Sequence, residues 1–439
     1  MPVSLRTDRF RSLLAIFIAL SLGGAGLGGT GLDVLAQQAD PTPSKRPAQQ
    51  KPPAKPRQPG AAAAKPPSAK AEAAKTEALP PSQIGIGTLA RQAYMVDPLT
   101  STVLLFKEAD KPMHPSSMAK MMTIYIVFEE LSAGHIKLDT RFRVSERARN
   151  MGGSRMFVEL GSEVSVEDLL KGMIVLSGND ACVVIAEGLA GNEDSFAERM
   201  TRKGRELGMS ATTFKNASGW PAEGQWTTAR DLAVLAWHTI EDFPQYYHYY
   251  SESNWTYNNI KQENRNRLLK ITPGTDGLKT GHTEEGGFGQ ATSVVRDGRR
   301  LILIVNGLTT MAERAHETAR LMEWGFRETT NTTVFRAGDV VAEAPVWLGT
   351  QDKVPLVVSK PIAVTTPTGQ PASPRVTAKF DGPLPAPIAK GTQLGTAALT
   401  MPDGRVVEYP LEAGTDVPRR GVLGRVAGMI QHYLFGWWS

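Results

Sequence analysis

The chain of 439 residues has one cysteine, Cys182, so it cannot form an intramolecular disulfide. Its place within an apolar run marks it as a small buried side chain. Histidine is also scarce. The seven histidines include no H-x-x-x-H or H-E-x-x-H pair, which disfavours a metal hydrolase. No G-x-x-x-x-G-K-[ST] phosphate loop and no internal repeat is present, and no cofactor is expected. The apolar run from Leu13 to Leu22 gives way to glycines between Gly23 and Gly31, too little for a stable membrane span, which needs ~20 strongly apolar residues.

Charge is unevenly spread. Between positions 37 and 82, eight basic residues stand against three acidic ones, a net +5 that equals the formal charge of the whole chain. From residue 83 onward the balance is −1, so the basic pI reports a tail and not a nucleic-acid-binding surface. The same segment holds 11 of the 30 prolines together with repeated alanine and lysine, a composition that cannot bury a core. Residues 37–82 are therefore expected to be a disordered linker. Ahead of it, Arg6, Arg9 and Arg11, the apolar run and Val34-Leu35-Ala36 read as a secretory signal spanning 1–36.

Three short motifs then follow in order: Ser117-Met118-Ala119-Lys120, Ser177-Gly178-Asn179 and Lys279-Thr280-Gly281, about 60 and about 100 residues apart. Each alone is common. Together they supply a serine acyl-transfer site. Residues three apart share one face of a helix, so Lys120 can reach the Ser117 hydroxyl and act as its base once burial depresses its pKa. Met118, Met121, Met122, Ile124, Tyr125, Val127 and Phe128 make that helix apolar nearly all round, which places it in a core.

Ser177 and Asn179 interrupt two apolar helical runs, where a loop presents polar groups to a cleft. Ser177 is suited to pass a proton between Lys120 and a leaving amine, and the Asn179 amide to bind a substrate peptide bond. Residues 290–295 and 301–305 are β-rich runs around Arg296-Asp297-Gly298-Arg299-Arg300 and predict an antiparallel hairpin. Lys279 to Thr283 would form an edge strand beside it. Such an edge pairs with an extended peptide, Gly281 allows close approach, and Lys279, Thr280 and Thr283 offer donors to a carboxylate. Lys279 would also add the positive field that keeps Lys120 uncharged.

On these segments, and on Pro115 to Thr123, Asp180-Ala181-Cys182, His282-Thr283, Trp324-Gly325-Phe326 and Pro345 to Gly349, the chain resembles the low-molecular-mass penicillin-binding proteins. It is similar specifically to the D-alanyl-D-alanine carboxypeptidases related to serine β-lactamases, over roughly 83–439. The resemblance implies an α/β (α+β) penicillin-binding or β-lactamase-like catalytic domain, with an antiparallel sheet and a helical subdomain. It implies Ser117 as acylated nucleophile, Lys120 as base, Ser177 as proton relay and Asn179 as ligand of the substrate amide. Lys279, Thr280 and Thr283 would form the carboxylate site, with Gly281 lining the substrate's approach and the backbone N–H groups of Ser117 and His282 as oxyanion hole. Arg265 and Arg314 match arginines that support the substrate or the K-T-G strand, or they are structural ion-pair partners. The implied ligands are peptidoglycan stem peptides and inhibitory β-lactams.

The expected layout is a catalytic domain at 83–330, a small β-sandwich at 331–417 and an amphipathic membrane-anchoring helix at 418–439. The sandwich follows from short β runs punctuated by proline and glycine, and its partner is unknown. In the last segment Val422, Val426, Met429, Ile430, Tyr433, Leu434 and Trp437 recur every three or four residues, with Arg419, Arg420 and Arg425 near its start. Docking of this helix on its own protein is the alternative. The chain is thus expected in the periplasm, peripheral on the outer face of the cytoplasmic membrane. Three rivals share the site: a serine β-lactamase, a D,D-transpeptidase or endopeptidase, and a non-enzymatic cell-wall scaffold. The one E-x-x-x-N match, Glu146 to Asn150, precedes Ser177 where a class A β-lactamase would have it follow, and a scaffold would be expected to lose Ser117 or Lys120.

Overall fold

The computed structural model describes residues 86–370, 374–400, 404 and 406–422. Five antiparallel strands make the central sheet: β1 (Gln92–Asp97), β2 (Thr102–Lys107), β3 (Thr275–Thr283), β4 (Gly287–Arg296) and β5 (Arg299–Leu308), in the order β2-β1-β5-β4-β3. The predicted hairpin is β4–β5. Its tip, Asp297-Gly298, has both residues at positive φ, 49° and 77°, the backbone of the tight turn whose twist matches the flanking strands. Strand β3 is the edge.

Between β2 and β3 lies the helical subdomain, with α1 (Lys120–Ser132), α2 (Asn179–Ala190), α3 (Glu193–Glu206) and α4 (Ala229–Asp242). Ten of the 13 residues of α1 are buried, and each fully buried large aliphatic or aromatic side chain stabilises by about 1.5–3 kcal/mol. One core joins these helices to Ala291, Ile302 and Ile304 of the sheet. A second core packs Val294, Leu301, Leu303 and Val305 against Leu321, Met322 and Trp324 of α5 (Met311–Glu328). Alternation along β4 and β5 sends neighbouring side chains to these two cores. The sheet is therefore covered on both faces.

The strands that follow α5 form a separate β-domain with its own core, which includes Leu356, Ile362, Val364, Leu399 and Leu411. Here β6 (Thr329–Phe335) pairs with β9 (Ile362–Pro367), while β7 (Val340–Trp347), β8 (Lys353–Val357), β10 (Arg375–Phe380), β11 (Leu384–Pro385), β12 (Gln393–Thr400) and β13 (Val406–Ala413) make a six-stranded sheet in the order β10-β12-β13-β8-β7-β11. Buried Asp97 of β1 accepts from Arg299 Nε and Asn331 Nδ2, each at 2.8 Å, and so links the central sheet to the β6–β9 pair.

The signal, the linker and residues 423–439 of the expected anchor lie outside the described residues. Arg419 and Arg420, read from sequence as the anchor's basic start, are bonded to the β-domain. Their Nε atoms donate to the carbonyls of Ala386 (2.8 Å) and Gly349 (2.6 Å), and Arg420 also pairs with Asp352.

Candidate active site

Ser117 lies in a 3₁₀ turn, Ser116–Ala119, that runs directly into α1 at Lys120. The sequence predicts an α-helix here. The tighter turn eclipses residues i and i+3, which serves the Ser–Lys contact better. Ser116 starts the turn at φ 48°, a left-handed conformation costing on the order of 1–3 kcal/mol in a non-glycine residue. Burial and a 3.1 Å hydrogen bond between its hydroxyl and that of Thr283 hold it there.

Lys120 is fully buried, and its Nζ has three neighbours: Ser117 Oγ at 2.9 Å, Asn179 Oδ1 at 2.7 Å and the Ser218 carbonyl at 2.7 Å. A neutral amine has two N–H donors and one lone pair. The two pure acceptors, Asn179 Oδ1 and Ser218 O, take the donors and turn the lone pair toward the Ser117 hydroxyl. Burial pulls the Lys120 pKa below its ordinary value, against the opposing fields of Cys182, Asp180 and Glu193. The neutral state is thus favoured by solvation and by geometry together.

The S-G-N segment forms the break between two helical runs. Gly172–Leu176 is a π-helical turn, Ser177 follows at φ 62°, and α2 begins at Asn179. Among the described residues the Ser177 hydroxyl takes no hydrogen-bond partner, and it faces the cleft. Asn179, expected to bind the substrate amide, is engaged at both ends, since Nδ2 donates to the Gly152 carbonyl at 2.8 Å. In this state it orients Lys120.

A cleft of about 600 Å³ opens over Ser117, Ser177 and Asn179. Thr280, Gly281, His282 and Thr283 of β3 make one wall, and Arg265 and Arg314 also line it. Gly281 allows a close approach, because a Cβ there would stand 3.0 Å from the Ser116 side chain and 3.3 Å from Met118 N, tight enough that a neighbour would have to shift. Lys279 is buried behind the wall, with Nζ donating to the Thr280 carbonyl at 3.1 Å. Burial, and then the charge of Lys120, hold its pKa well below the usual lysine range. For Lys120 itself burial leads, as expected from its place in the core, while the added field of Lys279 is not among the leading causes. The His282 ring stacks on Phe288 with centroids 3.9 Å apart. Arg314 Nη2 donates to the Arg265 carbonyl at 3.3 Å, and burial, with Arg267 second, brings its pKa down to about 10.

The family described as D-alanyl-D-alanine carboxypeptidase matches residues 77–310, and the C-terminal domain of penicillin-binding protein 5 matches 330–419. D-alanyl-D-alanine carboxypeptidase DacF of Bacillus subtilis is 35% identical over 341 residues, covering 76% of this chain and 87% of its own. DacC of Escherichia coli is 35% identical over 360 residues, covering 80% and 90%. The crystal structure of penicillin-binding protein 5 from Haemophilus influenzae superposes with a TM-score of 0.69 at 34% identity, over 76% of this chain and 99% of that one.

The chain belongs to the D-alanyl-D-alanine carboxypeptidase family. It is a serine peptidase, with the family's α/β catalytic domain and C-terminal β-domain.

Several residues of this carboxypeptidase site escape the motif reading. The turn 216–220 carries the Ser218 carbonyl that meets Lys120, and Asn216 Oδ1 shapes it by accepting from the N–H groups of Gly219 (2.8 Å) and Trp220 (3.0 Å). Gly219, at φ 80°, packs so tightly that a Cβ would stand 1.7 Å from the Ser116 carbonyl oxygen. Buried Glu193 braces the turn, accepting from Ala217 N at 3.0 Å and pairing with Arg147. Asp180 accepts from the backbone N–H groups of Met156, Phe157 and Val158 and so fixes the loop whose Gly153 and Ser154 line the cleft. Only Asn216-Ala217-Ser218-Gly219, a turn-forming sequence, offered a local signal.

Proposed function

We propose that this protein removes the terminal D-alanine from peptidoglycan stem peptides through an acyl-enzyme on Ser117. The observation that carries the reading is the Lys120 amine, buried, 2.9 Å from Ser117 Oγ, with both of its donors occupied elsewhere. Lys120 takes the Ser117 proton as the oxygen attacks the carbonyl carbon of the penultimate D-alanine. The backbone N–H groups of Ser117 and His282 receive the oxyanion. Collapse of the tetrahedral intermediate breaks the C–N bond, and the proton passes through Ser177 to the leaving amine. Water then attacks the ester with Lys120 again as base, releasing the shortened peptide. Thr280, Thr283, Arg265 and Arg314 hold the terminal carboxylate, and Lys279 supports them from behind. A β-lactam enters the same route and leaves a slowly hydrolysed ester on Ser117.

The same reading places the enzyme outside the cytoplasmic membrane. The signal at 1–36 exports it, the linker at 37–82 spaces it, the domains at 83–330 and 331–417 carry catalysis and support, and the apolar stripe of the last segment anchors it peripherally. Incubating the purified protein with a pentapeptide ending in D-Ala-D-Ala, and following free D-alanine and peptide products by mass spectrometry, tests the function. Release of one D-alanine per peptide together with the shortened, hydrolysed peptide supports it. A cross-linked product, formed with release of one D-alanine per link, identifies a transpeptidase, and no product identifies a scaffold.

A further inference from the structure

The acceptor that orients Lys120 is itself held from outside the three motifs. Ala217, which precedes it, is clamped at both ends of its backbone: its N–H donates to Glu193 Oε1 at 3.0 Å, and its carbonyl accepts from Thr123 Oγ1 at 2.7 Å. Thr123 follows Lys120 by three residues on α1, so the two side chains share a face of the helix and meet the same turn. Glu193 opens α3 and reaches the turn from there. Any movement of Ala217 is passed to the Ser218 carbonyl and so to the lone pair of Lys120.

Glu193 is 3% exposed, and a buried carboxylate is costly unless it is paired. One of its oxygens takes the Ala217 amide, and the other takes Arg147 Nη2. Among the described residues no other cation pairs with it. Arg147 stands on the short helix Glu146–Arg149, fixed by Ser145 Oγ accepting from Ala148 N at 3.0 Å and by Ala148 buried in the main core, while its own side chain is 58% exposed. The pair lines a groove of about 370 Å³ with Lys215 and Asn216, and Ser218 and Trp220 line both this groove and the cleft. The titratable groups that face Lys120 are Asp180 and Cys182 of α2, Glu193 of α3 and Lys279 of β3. Asp180 is bound by backbone N–H groups, and burial pushes the Cys182 thiol up to about 12, so it carries no charge near neutral pH. Glu193 alone of these is compensated by a surface side chain.

We propose that Arg147 is a positioning residue for the catalytic base: by holding and neutralising Glu193 it keeps the Ser218 carbonyl on Lys120 and shields the amine from a buried negative charge. Arg147 does not line the cleft, and it acts only through Glu193 and the turn. The inference rests on Lys120 as the base that activates Ser117. Two effects follow from the pair, and they separate experimentally. Without the guanidinium, the Glu193 carboxylate faces Lys120 uncompensated and favours its ammonium form. Without an acceptor at position 193, Ala217 is released and the amine loses its orientation.

The experiment follows the rate of labelling by fluorescent penicillin across a pH series, where the midpoint of the rise reports the ionisation of Lys120 and the plateau reports its geometry. Arg147→Met should move the midpoint to higher pH by about half a unit, roughly threefold in rate on the rising limb, a shift within the ordinary spread of lysine pKa values in proteins. Arg147→Lys should restore most of the parent midpoint. Glu193→Gln keeps an acceptor for Ala217 N but removes the charge, so its midpoint should fall, and adding Arg147→Met to it should shift the midpoint no further. Glu193→Ala should lower the plateau. Stoichiometric labelling at the end point establishes a folded site in each sample. A parent midpoint in Arg147→Met, whatever its plateau, overturns the role of Arg147, as does the same Arg147→Met shift with and without Glu193→Gln, or a Glu193→Gln midpoint that does not fall. A parent enzyme whose labelling rate does not rise with pH overturns Lys120 as the base and this inference with it.

Discussion

Lys120 donates from Nζ to the Ser218 carbonyl at 2.7 Å, across 98 residues of chain. This bond, with its counterpart to Asn179, decides which way the lysine's lone pair faces. The basicity of the site thus depends on a turn as much as on the motif helix.

The nucleophile is tested most directly by substitution. Ser117→Ala should abolish covalent labelling by fluorescent penicillin while far-ultraviolet circular dichroism and thermal midpoint stay near those of the parent. Peptide mapping of the labelled parent should place the adduct on Ser117. An adduct on Ser116 or Ser177 would sink the assignment.

Lys120→Arg retains a cation but offers no base near neutral pH, so acylation should fall by at least ~100-fold, the usual reach of general-base catalysis. Single-turnover labelling with fluorescent penicillin measures it. A variant that acylates at the parent rate would transfer the role to another group.

Burial also sets the pH dependence. The Lys120 pKa lies below 10.5, and only the neutral amine accepts the Ser117 proton, so the acylation rate should climb as pH rises through that lowered value and then level off. The folded site binds fewer protons than the unfolded chain between the lowered pKa and 10.5, so the contribution of Lys120 to stability increases with pH across the same window. A rate that falls with rising pH would contradict a lysine base.

Gly219→Ala should cost about 2–4 kcal/mol and depress labelling. The added Cβ meets the Ser116 carbonyl at 1.7 Å, and φ 80° is itself unfavourable for alanine. Relief of that clash must move either the Ser218 carbonyl or the turn bearing Ser117. Chemical denaturation and labelling rate together check it, and a variant with parent values of both would show that the turn is free to move.

Truncation after Val422 should release the protein from anionic vesicles without loss of turnover on a small peptide. The cut belongs after Val422 and not before Arg419, because Arg419 and Arg420 bond to the β-domain carbonyls of Ala386 and Gly349. Apolar burial of Val426, Met429, Ile430, Leu434 and the two tryptophans, at ~25 cal/mol per Å², would drive the binding, aided by Arg425. Co-sedimentation before and after truncation decides it, and a truncated form that still sediments places the anchor elsewhere.

What could be read from the chain alone was local. The Ser117–Lys120 contact spans three residues, the β4–β5 hairpin is written in two β-rich runs around Asp297-Gly298, and the Ser177 break lies between adjoining apolar runs. Each follows from short-range geometry that residue type and spacing encode. The wall formed by Thr280 to Thr283 was legible for the same reason, as a motif next to a hairpin. Tertiary structure alone decided the partners of Lys120, the burial of Lys279 behind that wall, the engagement of Asn179 at both ends, and the bracing of the 216–220 turn by Glu193. Three of these turn on backbone carbonyls, those of Ser218, Thr280 and Gly152, and every residue carries a carbonyl. Its identity leaves no mark in the sequence, and only the folded path of the chain determines which carbonyl meets which amine.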